Sequence, residues 1–353
     1  MRILEVAPPW LEVPPRAYGG TEWVVSGLAD GLTRLGHDVT LIASGGSQTC
    51  ARLETVFEEP RFDRLGDARV ETVQALAAFR RRHDFDVIHD HTAAVGPALA
   101  STVGDSPPVV HTLHFPWSDD QVRLMRMVAP PVHLVAISHD QACAAPGDIP
   151  IAAVIHHGIP LERYRFSRHK GDYLLFVGRA SHDKGPATAI EIALRLGRPL
   201  VLAIKIHEPD ERRYYHEVLE PLITAGIEVV PNPRHEQKVD LMGDAAVVIL
   251  PIQWAEPFGL VIPEANACGT PVVAFGLGAA PELVAAGRSG FVVPPGDVDG
   301  FCAAVERAPT LVPEECRRHV QVRFSVERMV ADYERLFRSI TTIDLRAPVV
   351  PVR

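Results

Sequence analysis

Glu256-Pro257-Phe258-Gly259-Leu260-Val261-Ile262-Pro263-Glu264, followed by Ala267-Cys268-Gly269-Thr270-Pro271-Val272-Val273, reads as a glycine-containing turn, an apolar helix and a β-branched strand. Two carboxylates, Glu256 and Glu264, frame the turn into the helix. The first N–H groups of a helix have no partner inside it, so they attract an anion. Carboxylates accept hydrogen bonds from sugar and ribose hydroxyls, while a helix N-terminus takes phosphate charge. The stretch therefore suits a sugar attached to a diphosphate.

Outward from this stretch, short β-branched runs alternate with longer amphipathic ones, the βαβ pattern of parallel sheets flanked by helices. Strands are expected at 3–7, 38–43, 86–89, 108–112, 133–137 and 152–155, then at 173–177, 199–204, 227–230, 245–250, 271–275 and 290–293. Two sets of six predict two doubly wound α/β domains, with a ligand cleft between them. The break falls where Gly, Pro and charged residues interrupt the apolar pattern, near His157-Gly158-Ile159-Pro160 and on to 171. The domains are placed at 1–160 and 161–324, with a last amphipathic helix at 325–341. In the first helix Trp23, Val24, Leu28, Leu32 and Leu35 recur at helical spacing, Thr21 is the expected N-cap, and Gly36 ends the helix.

The second half opens with Phe176-Val177-Gly178-Arg179-Ala180-Ser181-His182-Asp183-Lys184-Gly185, a strand and a loop carrying two cations, before a helix that starts at Pro186. A diphosphate leaving group gains negative charge as the glycosidic bond breaks, and fixed Arg and Lys donors stabilise that charge. Arg179 and Lys184 are the leading candidates. In the first half, Ala17-Tyr18-Gly19-Gly20-Thr21-Glu22 joins the first strand to the first helix, and its consecutive glycines allow backbone to approach a ligand. Asp86-Val87-Ile88-His89-Asp90-His91-Thr92 puts two histidines at the carboxyl end of a strand, where open α/β sheets bind ligands. Alternation sets His89 and His91 on one side and Asp90 on the other, which weakens a metal site built from the three. His111 and His114 also lie at a strand end.

The E-x7-E stretch and the G-R-x(4)-K-G loop together resemble the family 4 glycosyltransferases, retaining enzymes of the GT-B fold. The resemblance runs through the Gly19-Gly20 loop, the His91 strand, both motifs and the terminal helix, and so covers nearly the whole chain. It implies two Rossmann-like domains facing across a cleft, with the last helix crossing back to the first. It implies Arg179, Lys184, Glu256 and His91 as the catalytic set, with His91 touching the donor sugar near the reacting centre. Glu256 would accept from hydroxyls of the transferred sugar and Glu264 from the ribose. Backbone at Gly19, Gly20, Gly178, Phe258, Gly259 and Leu260 would complete the donor site, and backbone around Val230 would grip the base. Pro231 and Pro233 remove N–H donors at that point, so the base, uracil or guanine, stays open with uracil favoured. The acceptor, a hydroxyl compound, would meet the first domain around Tyr18, Glu22 and His114. Chemistry is expected to be a metal-independent front-face transfer with no cofactor beyond the nucleotide sugar. The rival readings are a GT-B epimerase or phosphorylase, and a silent sugar-nucleotide-binding protein.

Composition narrows the classes further. A net charge of −9 argues against a nucleic-acid binder, which needs Lys and Arg to hold phosphates. There is no G-x-G-x-x-G after the first strand and no G-x(4)-G-K-S/T, so dehydrogenase and P-loop readings lose ground. Only Lys170, Lys184, Lys205 and Lys238 are lysines, a scarcity that reads as codon bias. Five scattered cysteines without a C-x-x-C fit reduced thiols, and no apolar run approaches the roughly 20 residues of a membrane span. A cytoplasmic protein is expected, with peripheral membrane contact and oligomeric state left open.

Overall fold

The structure, a computed structural model, describes residues 1–16 and 19–344, with side chains to 342; Tyr18 lies outside the described residues. The chain forms two compact units. One holds Met1–Pro15, Gly19–Gly158 and the helix from Val326, and the other holds Ile159–Ser325. No helix of the described residues is long and apolar enough to cross a membrane.

The first unit is built on a seven-stranded parallel sheet. Its strands are β1 (Arg2–Val6), β2 (Asp38–Ala43), β3 (Arg52–Thr55), β4 (Val87–Asp90), β5 (Val109–Leu113), β6 (Val132–Ala136) and β7 (Ile151–Val154), in the order β3-β2-β1-β4-β5-β6-β7. Six strands are expected from sequence and the seventh, β3, is new. It is four residues long, half-exposed and at the sheet edge, so it lacks the apolar run that marks the others. In β1, Ile3, Leu4 and Val6 are fully buried as a central parallel strand requires, and so is Glu5, which is out of place there.

The helix Gly20–Arg34 buries Val24, Val25, Leu28, Ala29 and Leu32. Its N-cap is Gly19, one position before the helix, so the expected cap Thr21 falls inside the first turn. A side chain at Gly19 would crowd Glu22 Oε2 and Pro15 Cγ, each 2.8 Å from a Cβ built there. Gly36 ends the helix as expected, at φ 88° with its N–H on Thr33 O at 3.0 Å. Leu35, expected on the buried face, is the C-cap and is 53% exposed.

The last helix spans Val326–Asp344, starting one residue later and ending three later than 325–341, and buries Met329, Val330, Tyr333 and Phe337. It lies against Gly27 and Gly31 of the first helix, where a Cβ would come within 2.7 Å of Val326 Cγ2 and 2.4 Å of Val330 Cγ2. Gly31→Ala should therefore destabilise the protein by about 1 kcal/mol, because overpacking against a stiff valine outweighs the gain of about 1 kcal/mol in helix propensity. In a Val330→Ala background the same change should become stabilising by about 1 kcal/mol. Denaturant midpoints of the four proteins in this cycle measure it, and a Gly31→Ala effect unchanged by Val330→Ala would refute the contact.

The second unit carries β8 (Leu174–Arg179), β9 (Leu200–Lys205), β10 (Ile227–Pro231), β11 (Val247–Leu250), β12 (Val272–Phe275) and β13 (Gly290–Val293), all parallel, in the order β10-β9-β8-β11-β12-β13. These are the six expected strands, with β11 starting two residues later than the apolar run and β8 running two residues further. Pro231 ends β10, an edge strand, where a missing N–H interrupts no ladder on the open side.

Each sheet reverses its strand order once, between β1 and β4 in the first unit and between β8 and β11 in the second. Doubly wound sheets bind ligands beyond the carboxyl ends of the strands at that reversal. The loops that leave β1, β4, β8 and β11 therefore border the positions such sheets use for ligands.

Candidate functional site

In the second unit the loop after β8 contains Arg179, the last residue of the strand, a short turn at His182–Lys184, and Gly185 before the helix Pro186–Leu196. Gly185 has φ 75°, and a Cβ there would sit 2.0 Å from Pro251 O, so only glycine fits. That close approach holds the loop against the end of β11. Gln253 N–H donates to Asp183 O at 2.7 Å, a second tie between the two loops.

The loop after β11 brings Glu256 to Lys184, with Nζ 2.5 Å from Glu256 Oε1. The pair is sheltered, with side-chain exposures of 14% and 22%, and Lys184 Nζ lies 4.9 Å from the centre of the Trp254 ring. Lys184 does not pair with its neighbour Asp183, which instead takes Arg179 Nη2 at 2.8 Å. Gly178, just before Arg179, has Phe176 Cζ 3.0 Å and Lys184 Cβ 3.6 Å from where a Cβ would stand, so a methyl would crowd Phe176 and touch Lys184.

Glu264 lies in the helix Val261–Ala267 and is buried. Tyr164 OH donates to its Oε1 at 2.9 Å, and Lys238 Nζ sits 2.8 Å from both of its oxygens. Burial and the Glu264 charge push the Tyr164 phenol well above its ordinary range, so it stays a donor. The helix has only seven residues, too short for much dipole, so N–H groups at the turn are what it could offer an anion. Among the described residues the N–H groups of Gly259 and Leu260 have no partner. Gly259 is at φ 94°, a left-handed value that suits glycine. Phe258 is buried, and Val230 sits at the end of the edge strand β10.

In the first unit the buried Glu5 of β1 lies opposite His89 of β4 in the sheet register. His89 Nδ1 is 3.2 Å from Glu5 Oε1, and His91 Nε2 is 3.1 Å from Glu5 Oε2. His89 Nε2 reaches Thr112 Oγ1 at 2.8 Å, which in turn meets Tyr333 OH at 2.8 Å. Burial alone would raise the Glu5 carboxyl, but the His89 charge and the hydrogen bonds from both histidines outweigh it and bring it to about 2. Burial, with the His89 charge, lowers His91 to about 4. Asp90 points the other way, to His111 Nδ1 at 2.7 Å, as strand alternation requires. Glu5, His89 and His91 offer ligand-type atoms within 4.8 Å of one another, and hydrogen bonds among them and their neighbours engage all of these atoms.

This arrangement alters the expectation for His91. It is 1% exposed and both ring nitrogens have protein partners, Glu5 on one side and His114 Nε2 at 2.9 Å on the other. Its side chain meets a sugar only by giving up one of these partners. His114, half-buried, stacks on His157 at 5.3 Å between ring centres. Glu22, in the first turn after Gly19 and Gly20, is buried, and burial raises its carboxyl to about 7. The folded state thus holds the Glu22 proton through the window between about 4.5 and 7 while the unfolded chain releases it, so stability falls as pH rises through that window. Glu22→Gln should accordingly stabilise the protein by about 2 kcal/mol at pH 8 and by little at pH 4, measured by denaturant unfolding at both. A gain equal at the two pH values would show that charge burial is not the cause.

The structure thus joins Lys184 to Glu256 across two loops, and pairs Arg179 within its own. It adds Glu5, Tyr164, Asp183, Lys238 and Trp254, which sequence reasoning passed over. An acidic residue inside the apolar run 3–7 is the one signal that could have pointed to Glu5.

The family described as "Glycosyl transferases group 1" matches residues 162–318, and that described as "Glycosyltransferase Family 4" matches residues 18–163. The chain is similar to a glycogen synthase of Mycobacterium tuberculosis, 26% identical over 95% of this chain and 91% of the relative. It is also similar to D-inositol 3-phosphate glycosyltransferase 1 of Catenulispora acidiphila, 29% identical over 60% of each. Among solved structures it resembles AviGT4, a glycosyltransferase involved in avilamycin A biosynthesis, with a TM-score of 0.74, 28% identity and coverage of 97% of this chain and 98% of that one. With two family matches that together run from residue 18 to residue 318, the chain belongs to the group 1, family 4 glycosyltransferases and is a glycosyltransferase of the GT-B fold.

Proposed function

We propose that the protein is a retaining, metal-independent glycosyltransferase that moves a sugar from a nucleoside diphosphate, UDP favoured, to a hydroxyl of its acceptor. The observation that carries this reading is the Lys184–Glu256 pair, formed by the two loops that flank the strand reversal of the second unit. In this reading the second unit holds the donor and the first unit the acceptor. Lys184, Arg179 and the N–H groups of Gly259 and Leu260 are the donors that a departing diphosphate would need. Glu256 accepts from the transferred sugar with the oxygen that Lys184 leaves open, and Glu264 accepts from the ribose.

Each of these carboxylates is held by an ammonium, Glu256 by Lys184 and Glu264 by Lys238. With their oxygens taken by an ammonium and by sugar or ribose hydroxyls, neither is placed to act as general base, which favours a mechanism in which the leaving phosphate takes the acceptor proton on the same face of the sugar. Nor are the two a glycosidase pair in this reading, since Glu264 serves the ribose rather than the scissile bond. Fixed cations supply the charge that a metal would otherwise supply.

Calorimetric titration with UDP and with GDP, without metal, tests the donor site. Binding of UDP alone is expected; binding of neither overturns the reading. Release of nucleoside diphosphate from a nucleotide sugar should then require an acceptor, and an acceptor-independent reaction would favour an epimerase. The acceptor screen starts with glucans and inositol phosphates, because the matched relatives are named for glycogen and for D-inositol 3-phosphate. The anomeric configuration of the product, read by NMR, decides between retention and inversion.

A further inference from the structure

The first unit contains a chain of hydrogen bonds with a defined direction. Glu5 is buried, and its low pKa keeps it ionised at neutral pH, so its oxygens can only accept. His91 Nε2, 3.1 Å from Glu5 Oε2, must therefore carry a proton and donate it. The His91 ring is neutral, which leaves Nδ1 with a lone pair. His114 Nε2, 2.9 Å from that lone pair, must then be the donor of the next bond. A neutral His114 protonated at Nε2 has its lone pair at Nδ1. Among the described residues that nitrogen has no hydrogen-bond partner, and it is not among the sealed-off buried atoms. His114 is half-buried, at the carboxyl end of β5, while everything behind it is closed.

We infer that Glu5 is a positioning residue which, through His91, fixes His114 in the Nε2–H tautomer and so presents His114 Nδ1 as an acceptor for a substrate hydroxyl. The inference rests on the reading of the first unit as the acceptor side, and it gives a defined hydrogen-bonding role to His114, which the sequence places among the acceptor contacts. A ring free to flip its tautomer would offer a hydroxyl a donor or an acceptor at random; the carboxylate removes that choice. The surrounding groups do not reverse the direction. His89 Nδ1 lies 3.2 Å from Glu5 Oε1 and 3.1 Å from Oε2, both acceptors only, and His89 spends Nε2 on Thr112, Asp90 is taken by His111, and His157 meets His114 by stacking. Burial and the neighbouring histidines keep His114 well below its ordinary pKa, so it orients a hydroxyl without taking its proton. This is compatible with deprotonation by the leaving phosphate.

Long-range ¹H–¹⁵N spectra of histidine-labelled protein at neutral pH test the relay without any substitution. His91 and His114 should both appear as Nε2–H tautomers, and a Nδ1–H tautomer at His114 would overturn the inference. Glu5→Gln replaces an acceptor-only group by an amide that can also donate, so His114 should become a mixture of tautomers. kcat/KM for one substrate should fall about tenfold, with the Kd of UDP unchanged. If the KM that rises is that of the acceptor, the hydroxyl belongs to the acceptor; if that of the nucleotide sugar, it belongs to the donor sugar. Should Glu5→Gln fold poorly, the histidine itself serves. His114→Asn keeps an acceptor near the Nδ1 position and should retain several-fold more activity than His114→Gln, which reaches only towards Nε2. Equal loss in the two would overturn the assignment. UDP binding that fails in the wild type would sink the donor reading alone, because the tautomers are read with no ligand present.

Discussion

Lys184→Ala is expected to lower kcat by about 10² to 10³-fold while changing the Kd of UDP by less than about tenfold. Removing one preorganised donor from a developing anion costs about 3 to 4 kcal/mol in sites of this kind. The split between kcat and Kd arises because the second phosphate oxygen gains charge only as the glycosidic bond lengthens. Lys184 is mostly buried, pinned 2.5 Å from Glu256 and flanked by the face of Trp254, so little reorganisation accompanies the reaction. Initial rates and calorimetry on the same preparation measure both quantities. An unchanged kcat removes Lys184 from the chemistry, and an equal fall in kcat and affinity would make it a uniform phosphate binder.

The pair allows a sharper test. If Glu256 serves mainly to hold Lys184, then Lys184→Ala/Glu256→Ala should be no worse than Lys184→Ala alone. If Glu256 also accepts from the sugar, the double variant should lose about a further tenfold. The second outcome is expected, because Lys184 engages Oε1 and leaves Oε2 open.

What the sequence could and could not tell follows from how each feature is encoded. Buried parallel strands are continuous apolar runs, so all but one of the strands stand out; β3 carries Arg52 and Glu54 on a half-exposed edge and has no such run. The strand-loop-helix around Arg179 and Lys184 is local and legible. Pairings over long separations are not. Lys238 meets Glu264 across 26 positions and Glu5 meets His91 across 86, and neither is implied by any local pattern. The scarcity of lysine, read as codon bias, hid a regularity: of four lysines, two hold the two glutamates of the E-x7-E stretch. The expected cap at Thr21 failed because side-chain preference yielded to crowding at Gly19, which leaves no room for a Cβ. The two loops of the second unit were thus readable as motifs, and the buried histidines of the first only as a set of strand-end residues without direction.

Gly278→Ala should destabilise the second unit by about 3 kcal/mol and lower kcat together with it. Gly278 is in the left-handed region at φ 56°, which costs a residue with a Cβ about 1 kcal/mol or more. Steric crowding weighs more than this backbone cost. A Cβ there would lie 2.3 Å from both Glu256 N and Glu256 O and 2.7 Å from Ala255 C, all backbone atoms that cannot rotate away. Relief requires moving the backbone of Glu256, whose carbonyl accepts from Ala279 N–H at 2.9 Å, so the strain falls on the residue that holds Lys184. Gly36→Ala separates the backbone cost from the crowding. Gly36 has φ 88° and nothing within 4 Å of its Cβ position, so it reports backbone conformation alone, at about 1 kcal/mol. Denaturant unfolding of the two variants should differ by about 2 kcal/mol, with kcat reduced only in Gly278→Ala. Equal destabilisation would mean that the loop between β12 and the helix Ala280–Leu283 yields freely, and Glu256 would then be positioned by its bond to Lys184 rather than by the backbone packed behind it.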